Sequence, residues 1–322
     1  MKLVLTHALS QAGMAVLEES GAELYVANSA QPETYLDQLQ DADGFIIRVG
    51  LCPAELIDQC PKLKVIGRTG VGYDNVAVEH AAKLGIPVVF TPGANNRSVA
   101  EHTVASMFAL AKNLLEADAQ LRQGNWKIRD AQKAFELQGK KVGIIGVGAI
   151  GRIVAKLCHA LGMETAGFSH SHNRKKVEDA GCQYYAELDD LLRECDIVTI
   201  HNPLTPETKD MISARELALM KPTALLINTS RGPIVNEKDL AEALNHDVIA
   251  GAAVDVYSVE PAELTNPVFQ AKNLICTPHS AALTREATDR MAVQCARGCL
   301  AVCLGEEWPD VVDRSAYQNQ RR

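Results

Sequence analysis

The chain has 322 residues, 47% of them hydrophobic and 22% charged, with a net charge of −8 at pH 7. That length predicts two domains, each able to bury a real core, and the composition is that of an ordinary globular protein. The acidic balance speaks against nucleic acid as a partner, and no apolar run is long enough for a membrane span.

The amino terminus turns polar too early for a signal peptide and reads as a first strand. Strands are expected at residues 3–6, 22–26, 44–47, 63–66 and 87–90, with helices at 11–20, 33–40, 53–60 and 76–84. Such alternation implies a parallel sheet with helices on both faces. A long helical pattern over residues 101–121 leads out of this first unit.

Next comes Lys141-Val142-Gly143-Ile144-Ile145-Gly146-Val147-Gly148-Ala149-Ile150-Gly151-Arg152. A short apolar strand, G-x-G-x-x-G and then a helix form the context in which that spacing binds a dinucleotide. The first glycine permits the turn, the second lets backbone approach a pyrophosphate, and the third lets helix and strand pack closely. Helix-start N–H groups then face the phosphates. Further strands are expected at 164–168, 197–201, 224–228, 250–254 and 274–276, enough for a six-stranded dinucleotide fold. A last helix at 285–304 is long enough to run back to the first unit. The expected domains are therefore residues 1–100 completed by 286–322, and residues 101–285 between them.

Ligands of such sheets bind beyond the carboxyl ends of the strands. Arg231, Glu260 and His279 each follow a predicted strand. Arginine grips a carboxylate or polarises a carbonyl, histidine exchanges a proton near neutral pH, and a neighbouring carboxylate orients the ring. Singly each has a plain reading as a surface charge, a turn acid or a core histidine. Three at the strand ends of one sheet point to a site.

Nine cysteines without a C-x-x-C pair predict neither a disulfide framework nor a zinc ribbon, and imply a reducing, cytoplasmic location. Cys295, Cys299 and Cys303 fall on one helical face, where packing is a better reading than metal. No metal is expected.

The segments Asn228-Thr229-Ser230-Arg231-Gly232, Asp255-Val256-Tyr257-Ser258-Val259-Glu260-Pro261 and Thr277-Pro278-His279 resemble the hallmarks of the D-isomer-specific 2-hydroxyacid dehydrogenases. Arg68-Thr69-Gly70-Val71-Gly72-Tyr73-Asp74-Asn75 is similar to that family's substrate loop, and the likeness runs along essentially the whole chain. It implies an α/β protein of two doubly wound parallel-sheet domains, one a Rossmann dinucleotide-binding domain and one a discontinuous flavodoxin-like substrate domain. It implies His279 as proton donor to a keto oxygen, Glu260 holding it protonated, and Arg231 on the substrate carboxylate and carbonyl. Backbone N–H groups at Val71 and Gly72 would complete the carboxylate site. Cofactor contacts would fall at Gly146, Gly148, Ala149, Ile150, Gly151, Asn202, Pro203, Thr208, Thr229 and Asp255. A homodimer with a closing cleft is the family's usual form. Glu260 speaks against the formate dehydrogenase branch, where glutamine is expected.

NAD enzymes place an acid at the end of the second strand, on the ribose 2′-hydroxyl. Here Ser169 fills that slot, followed by His170, His172, Arg174, Lys175 and Lys176. Losing a carboxylate and gaining cations is what a 2′-phosphate requires, so NADP(H) is favoured over NAD(H). Arg48 and Arg68, each after a predicted strand, suggest a substrate with an anionic or hydroxylated tail, such as 3-phosphoglycerate. Hydroxypyruvate and glyoxylate are simpler candidates. A corepressor or sensor on the same fold, and a phosphite-type dehydrogenase, are the alternatives.

Overall fold

The computed structural model describes residues 1–131 and 133–321. They form two compact units, one of residues 1–95 with 283–321 and one of the described residues between 96 and 282. In the first unit, β1 (Lys2–Leu5), β2 (Glu23–Val26), β3 (Gly44–Ile47), β4 (Val65–Arg68) and β5 (Val88–Val89) form one sheet. Between them lie α1 (Gln11–Glu19), α2 (Leu36–Leu39), α3 (Ala54–Asp58) and α4 (Val78–Lys83). The strands are parallel in the order β2-β1-β3-β4-β5, the flavodoxin-like arrangement. Every residue of β3 is buried. Cover on both faces is why such strands read as unbroken apolar runs rather than as alternation.

The second unit opens with α5 (Asn96–Ala111) and α6 (Leu114–Arg122). Then follow β6 (Lys141–Ile145), α7 (Ala149–Ala160), β7 (Glu164–Phe168), α8 (Arg174–Glu178), β8 (Gln183–Tyr185) and α9 (Leu188–Glu194). The unit continues through β9 (Ile197–Ile200), α10 (Ala214–Leu219), β10 (Leu225–Asn228), α11 (Glu237–Asn245), β11 (Gly251–Val254) and β12 (Leu274–Cys276). Its sheet is parallel throughout, in the order β12-β11-β10-β9-β6-β7-β8. Outward from β6, that is the Rossmann order with one strand added beyond the sixth. Two apolar layers sandwich this sheet, one including Ile145, Val198, Leu226 and Val254, the other Val142, Ile144, Val154 and Ile227.

Two elements differ from the sequence expectation. The sheet has seven strands rather than six, because Gln183–Tyr185 pairs with β7 at the edge. Three residues, one of them exposed, carry no apolar run for a sequence pattern to detect. The helix expected at 101–121 is two helices, broken where Asn113 takes φ 51. A left-handed residue cannot continue a right-handed helix.

The last helix, α12 (Arg285–Cys303), belongs to the first unit. Thr284 starts it by accepting the Ala287 N–H. Cys295 and Cys299 are fully buried in a core with Leu3, Leu5, Ile46 and Val65. A side-chain carbon at Gly67 of β4 would stand 2.3 Å from the Cys299 sulfur, so the glycine makes room for the thiols. Their mutual hydrogen bond and burial push the Cys299 thiol well up, as expected of packing groups rather than nucleophiles. No helix among the described residues is long and apolar enough to cross a membrane.

Candidate active site

At the end of β6 the chain turns through Gly146 with φ 92. A side-chain carbon there would lie 2.2 Å from Asn202 Oδ1, and one at Gly151 would lie 2.5 Å from the Gly146 carbonyl oxygen. One at Gly148 would meet nothing within 4 Å. The outer glycines are thus demanded by crowding, and the middle one leaves open ground at the start of α7. Gly148 and Ala149 begin that helix without a side-chain cap among the described residues, leaving its first N–H groups, with Ile150, toward that opening. Beside it, Asn202 Nδ2 is buried with no hydrogen-bond partner among the described residues. Open space, helix-start N–H groups and an unsatisfied donor are what a dinucleotide pyrophosphate fits.

The neighbouring loops extend this edge. Ser169 is buried just beyond β7, its hydroxyl 3.0 Å from that of Ser171, while His170 is exposed. The Arg174 guanidinium lies over the Tyr184 ring, 5.1 Å from its centroid, with Nε 3.8 Å from Glu178. After β9, the Thr208 hydroxyl donates to the Pro203 carbonyl at 2.8 Å and accepts the Thr205 N–H at 2.8 Å. That pair fixes the turn following Asn202 and Pro203. Burial pushes the imidazole of His201 down to about 4, so this ring is neutral, with Nε2 3.0 Å from the Thr199 hydroxyl.

Strands β10, β11 and β12 are neighbours, so their carboxyl-end loops bring Arg231, Glu260 and His279 to one side of the same edge. The Arg231 loop is tied by Asn228, whose Nδ2 donates to the Arg231 carbonyl at 3.0 Å, and Arg231 Nη1 donates to the Ser230 carbonyl at 2.7 Å. Asn236 then ends the loop by capping α11. Glu260 accepts the Tyr257 N–H on Oε1 at 3.0 Å, and its Oε2 lies 2.6 Å from His279 Nδ1. Both side chains stay accessible, His279 at 45% and Glu260 at 36%. Burial by itself would push the Glu260 carboxyl up. The His279 hydrogen bond, the Tyr257 N–H and the charges of His279 and Arg231 outweigh it and hold Glu260 below the usual glutamate range. An ionised carboxylate only accepts, so Nδ1 carries the hydrogen in this bond and Nε2 is left to exchange a proton.

Asp255 does more than the sequence suggested. Its carboxylate accepts the Thr277 hydroxyl at 2.6 Å, the Ser280 N–H at 2.8 Å and the Ala281 N–H at 2.9 Å. Thr229 meets the Thr103 hydroxyl at 3.0 Å. Sequence reasoning missed Ser98, His102 and Thr103 as part of this arrangement, and read Thr277 only as part of the Thr277-Pro278-His279 segment. The signal was present as Ser98 and His102 one turn apart in an otherwise Ala- and Val-rich helix, with Thr103 beside them, but α5 read only as a connector.

In the first unit, Arg48 is exposed just beyond β3. Arg68 ends β4, and its guanidinium donates to the Thr69 carbonyl and to Asn75 Oδ1. Asn75 donates onward to the Gly50 carbonyl at 2.7 Å. Arg68 thus braces the loop carrying Val71 and Gly72, a role the sequence did not disclose.

The pattern of the D-isomer specific 2-hydroxyacid dehydrogenase, NAD binding domain, matches residues 104–281. The chain is 40% identical to a glyoxylate reductase of Aeropyrum pernix, covering 89% of this chain and 87% of the relative. It is 38% identical to a D-3-phosphoglycerate dehydrogenase of Methanocaldococcus jannaschii over 97% of its own length, and spans 59% of that longer protein. Among solved structures, it is similar to the TT0316 protein of Thermus thermophilus, with a TM-score of 0.90 at 33% identity, covering 97% of this chain and all of that one. The chain belongs to the D-isomer specific 2-hydroxyacid dehydrogenase family.

Proposed function

We propose that this protein is an NAD(P)-dependent oxidoreductase that transfers a hydride between nicotinamide and C2 of a 2-keto or D-2-hydroxy acid. The observation that carries the reading is the accessible 2.6 Å pair of His279 and Glu260 on the edge that also bears the glycine loop. A nicotinamide dinucleotide, when held at the Gly146–Gly151 loop and Asn202, would supply the hydride chemistry at C2. His279 Nε2 gives a proton to the keto oxygen, and Glu260 orients the ring through Nδ1. Arg231 pairs with the substrate carboxylate and polarises the carbonyl. In the other unit, Val71 and Gly72 are the proposed backbone donors for substrate.

Glyoxylate and hydroxypyruvate are the favoured substrates, because Arg68 directs its guanidinium to its own loop. A doubly charged acid such as 3-phosphoglycerate is the second reading, supported by the exposed Arg48. The cofactor preference is proposed as NADP(H), from Ser169, Ser171 and His170 standing where an acid would bind a ribose hydroxyl. A homodimer is the proposed assembly, supported by the exposed Leu114, Leu115 and Leu121 of α6 and the nearby Trp126.

Steady-state turnover of a panel of 2-keto acids with NADH and NADPH tests the reading. His279→Ala is expected to lower turnover by about 10²- to 10⁴-fold while leaving cofactor binding unchanged. Cofactor binding without oxidation by any keto acid would favour a sensor on this fold instead.

A further inference from the structure

Helix α5 carries three polar side chains toward the site loops, Ser98 and His102 one turn apart on one face and Thr103 a further turn of about 100° round the helix. Each reaches a loop of the candidate site. The Ser98 hydroxyl donates to the Ala281 carbonyl at 2.6 Å. Thr103 donates to the Val99 carbonyl at 2.9 Å within its own helix, so the hydroxyl of Thr229, 3.0 Å away, is the donor in their contact. His102 Nε2 lies 3.2 Å from the Thr277 hydroxyl. Thr277 gives its single proton to Asp255, so it can only accept from His102, which fixes a hydrogen on Nε2.

The chain of bonds continues into the segment that bears the proposed acid–base group. Asp255 holds the N–H groups of Ser280 and Ala281 through its carboxylate, and its own carbonyl accepts the His279 N–H at 2.7 Å. His279 has φ 49, in the left-handed region that non-glycine residues rarely enter. Such a conformation persists only when its surroundings over-determine it. Here the turn is held from Asp255, Asp255 is engaged by Thr277, and Thr277 is engaged by α5.

We propose that α5 is a clamp on the His279 turn, with His102 its positioning residue acting through Thr277 and Asp255. As a statement about catalysis this rests on the reading of His279 as the proton donor; as a statement about the turn it does not. The clamp touches neither substrate nor cofactor through His102. Breaking it at His102 should therefore lower kcat and loosen the turn without loss of cofactor binding.

The test compares His102→Leu, His102→Gln, Thr277→Val and the double variant His102→Leu/Thr277→Val. Turnover is measured with glyoxylate or hydroxypyruvate, and amide hydrogen exchange is followed over residues 279–281. His102→Leu should lower kcat about tenfold with the cofactor KM changed less than about threefold, because the interaction lost is one of positioning. Exchange at Ser280 and Ala281 should accelerate about tenfold as the local opening becomes easier. His102→Gln, which keeps a donor, should recover most of both. The double variant should be no slower than Thr277→Val alone, since both cut one chain. Wild-type exchange in His102→Leu and Thr277→Val, or effects that add in the double variant, would overturn the clamp. Thr277→Val, near in shape to the native residue, carries the test if His102→Leu fails to fold. If the wild type turns over no keto acid, the reading of His279 has failed, while the exchange result still decides the clamp.

Discussion

Both units place loops at the carboxyl edge of a parallel sheet, but they hold those edges in different ways. In residues 96–282, Asp255 has three donors, Thr277 both gives and takes, and Glu260 is bonded at both oxygens. In residues 1–95, Thr69 Oγ1, Thr91 Oγ1 and Asn95 Oδ1 are buried with no hydrogen-bond partner among the described residues. A saturated network fixes geometry, which suits proton transfer to one position. Buried groups left unpaired cost about 1–3 kcal/mol each and gain most from a polar partner. Saturated positioning at the β10–β12 edge thus contrasts with unmet hydrogen-bonding capacity in the first unit, and in the second unit such capacity lies at His201 and Asn202 beside the glycine loop.

The largest expected effect breaks the glycine loop of the second unit. Gly146→Ala combines φ 92 with a contact at 2.2 Å from Asn202 and is expected to abolish measurable cofactor binding and lower the Tm. Gly148→Ala faces open space, so the fold should keep its Tm while cofactor affinity falls by about tenfold. Equal loss of Tm in the two variants would contradict the different surroundings of these glycines. Cofactor titration and thermal denaturation distinguish them.

Glu260→Gln tests the ion pair, with kcat/KM expected to fall about 10- to 100-fold. The folded carboxyl lies below its ordinary value of 4.5, so its ionised form favours the folded state. That contribution is complete above 4.5 and is lost as pH falls through the depressed folded value. The Tm gap between wild type and Glu260→Gln should therefore be constant above 4.5 and narrow as the pH falls below it. A gap independent of pH would show that the carboxylate's charge does not stabilise this loop.

Ser169→Asp restores an acid beyond β7 and is expected to shift the kcat/KM ratio of NADH to NADPH about tenfold toward NADH. An unchanged ratio would place the 2′ discrimination elsewhere. The smallest effect belongs to the first unit. Thr91→Val removes a buried hydroxyl with no partner among the described residues, and should leave the denaturation midpoint unchanged or raise it by about 1 kcal/mol equivalent. A marked loss of stability would show that Thr91 is satisfied after all and weaken the contrast between the two edges.

Much of the candidate site was readable from local order along the chain. The glycine spacing, Arg231, Glu260 and His279 announce themselves because each follows an apolar strand, and β-strand patterning is a short-range property. The second unit's edge strand β8 was not readable, having too few apolar residues to register. Nor was the break at Asn113, since apolar spacing continues through α6 although Leu114, Leu115 and Leu121 remain exposed. Periodicity reports which face is apolar and is silent on whether that face is covered.

By itself, the sequence determined the alternating α/β architecture, the strand–glycine turn–helix at 141–160 and the identities of the groups at the strand ends. These follow from side-chain chemistry and from patterns a few residues long. Tertiary structure decided the pairings: Glu260 with His279 across 19 positions, Asp255 with Ala281 across 26, and His102 with Thr277 across 175. It also decided that Arg68 braces a loop and that the thiols of α12 fill the space left by Gly67. Hydrogen bonds depend on atoms meeting within about 3 Å at a suitable angle, and only the packed sheet brings such distant positions together.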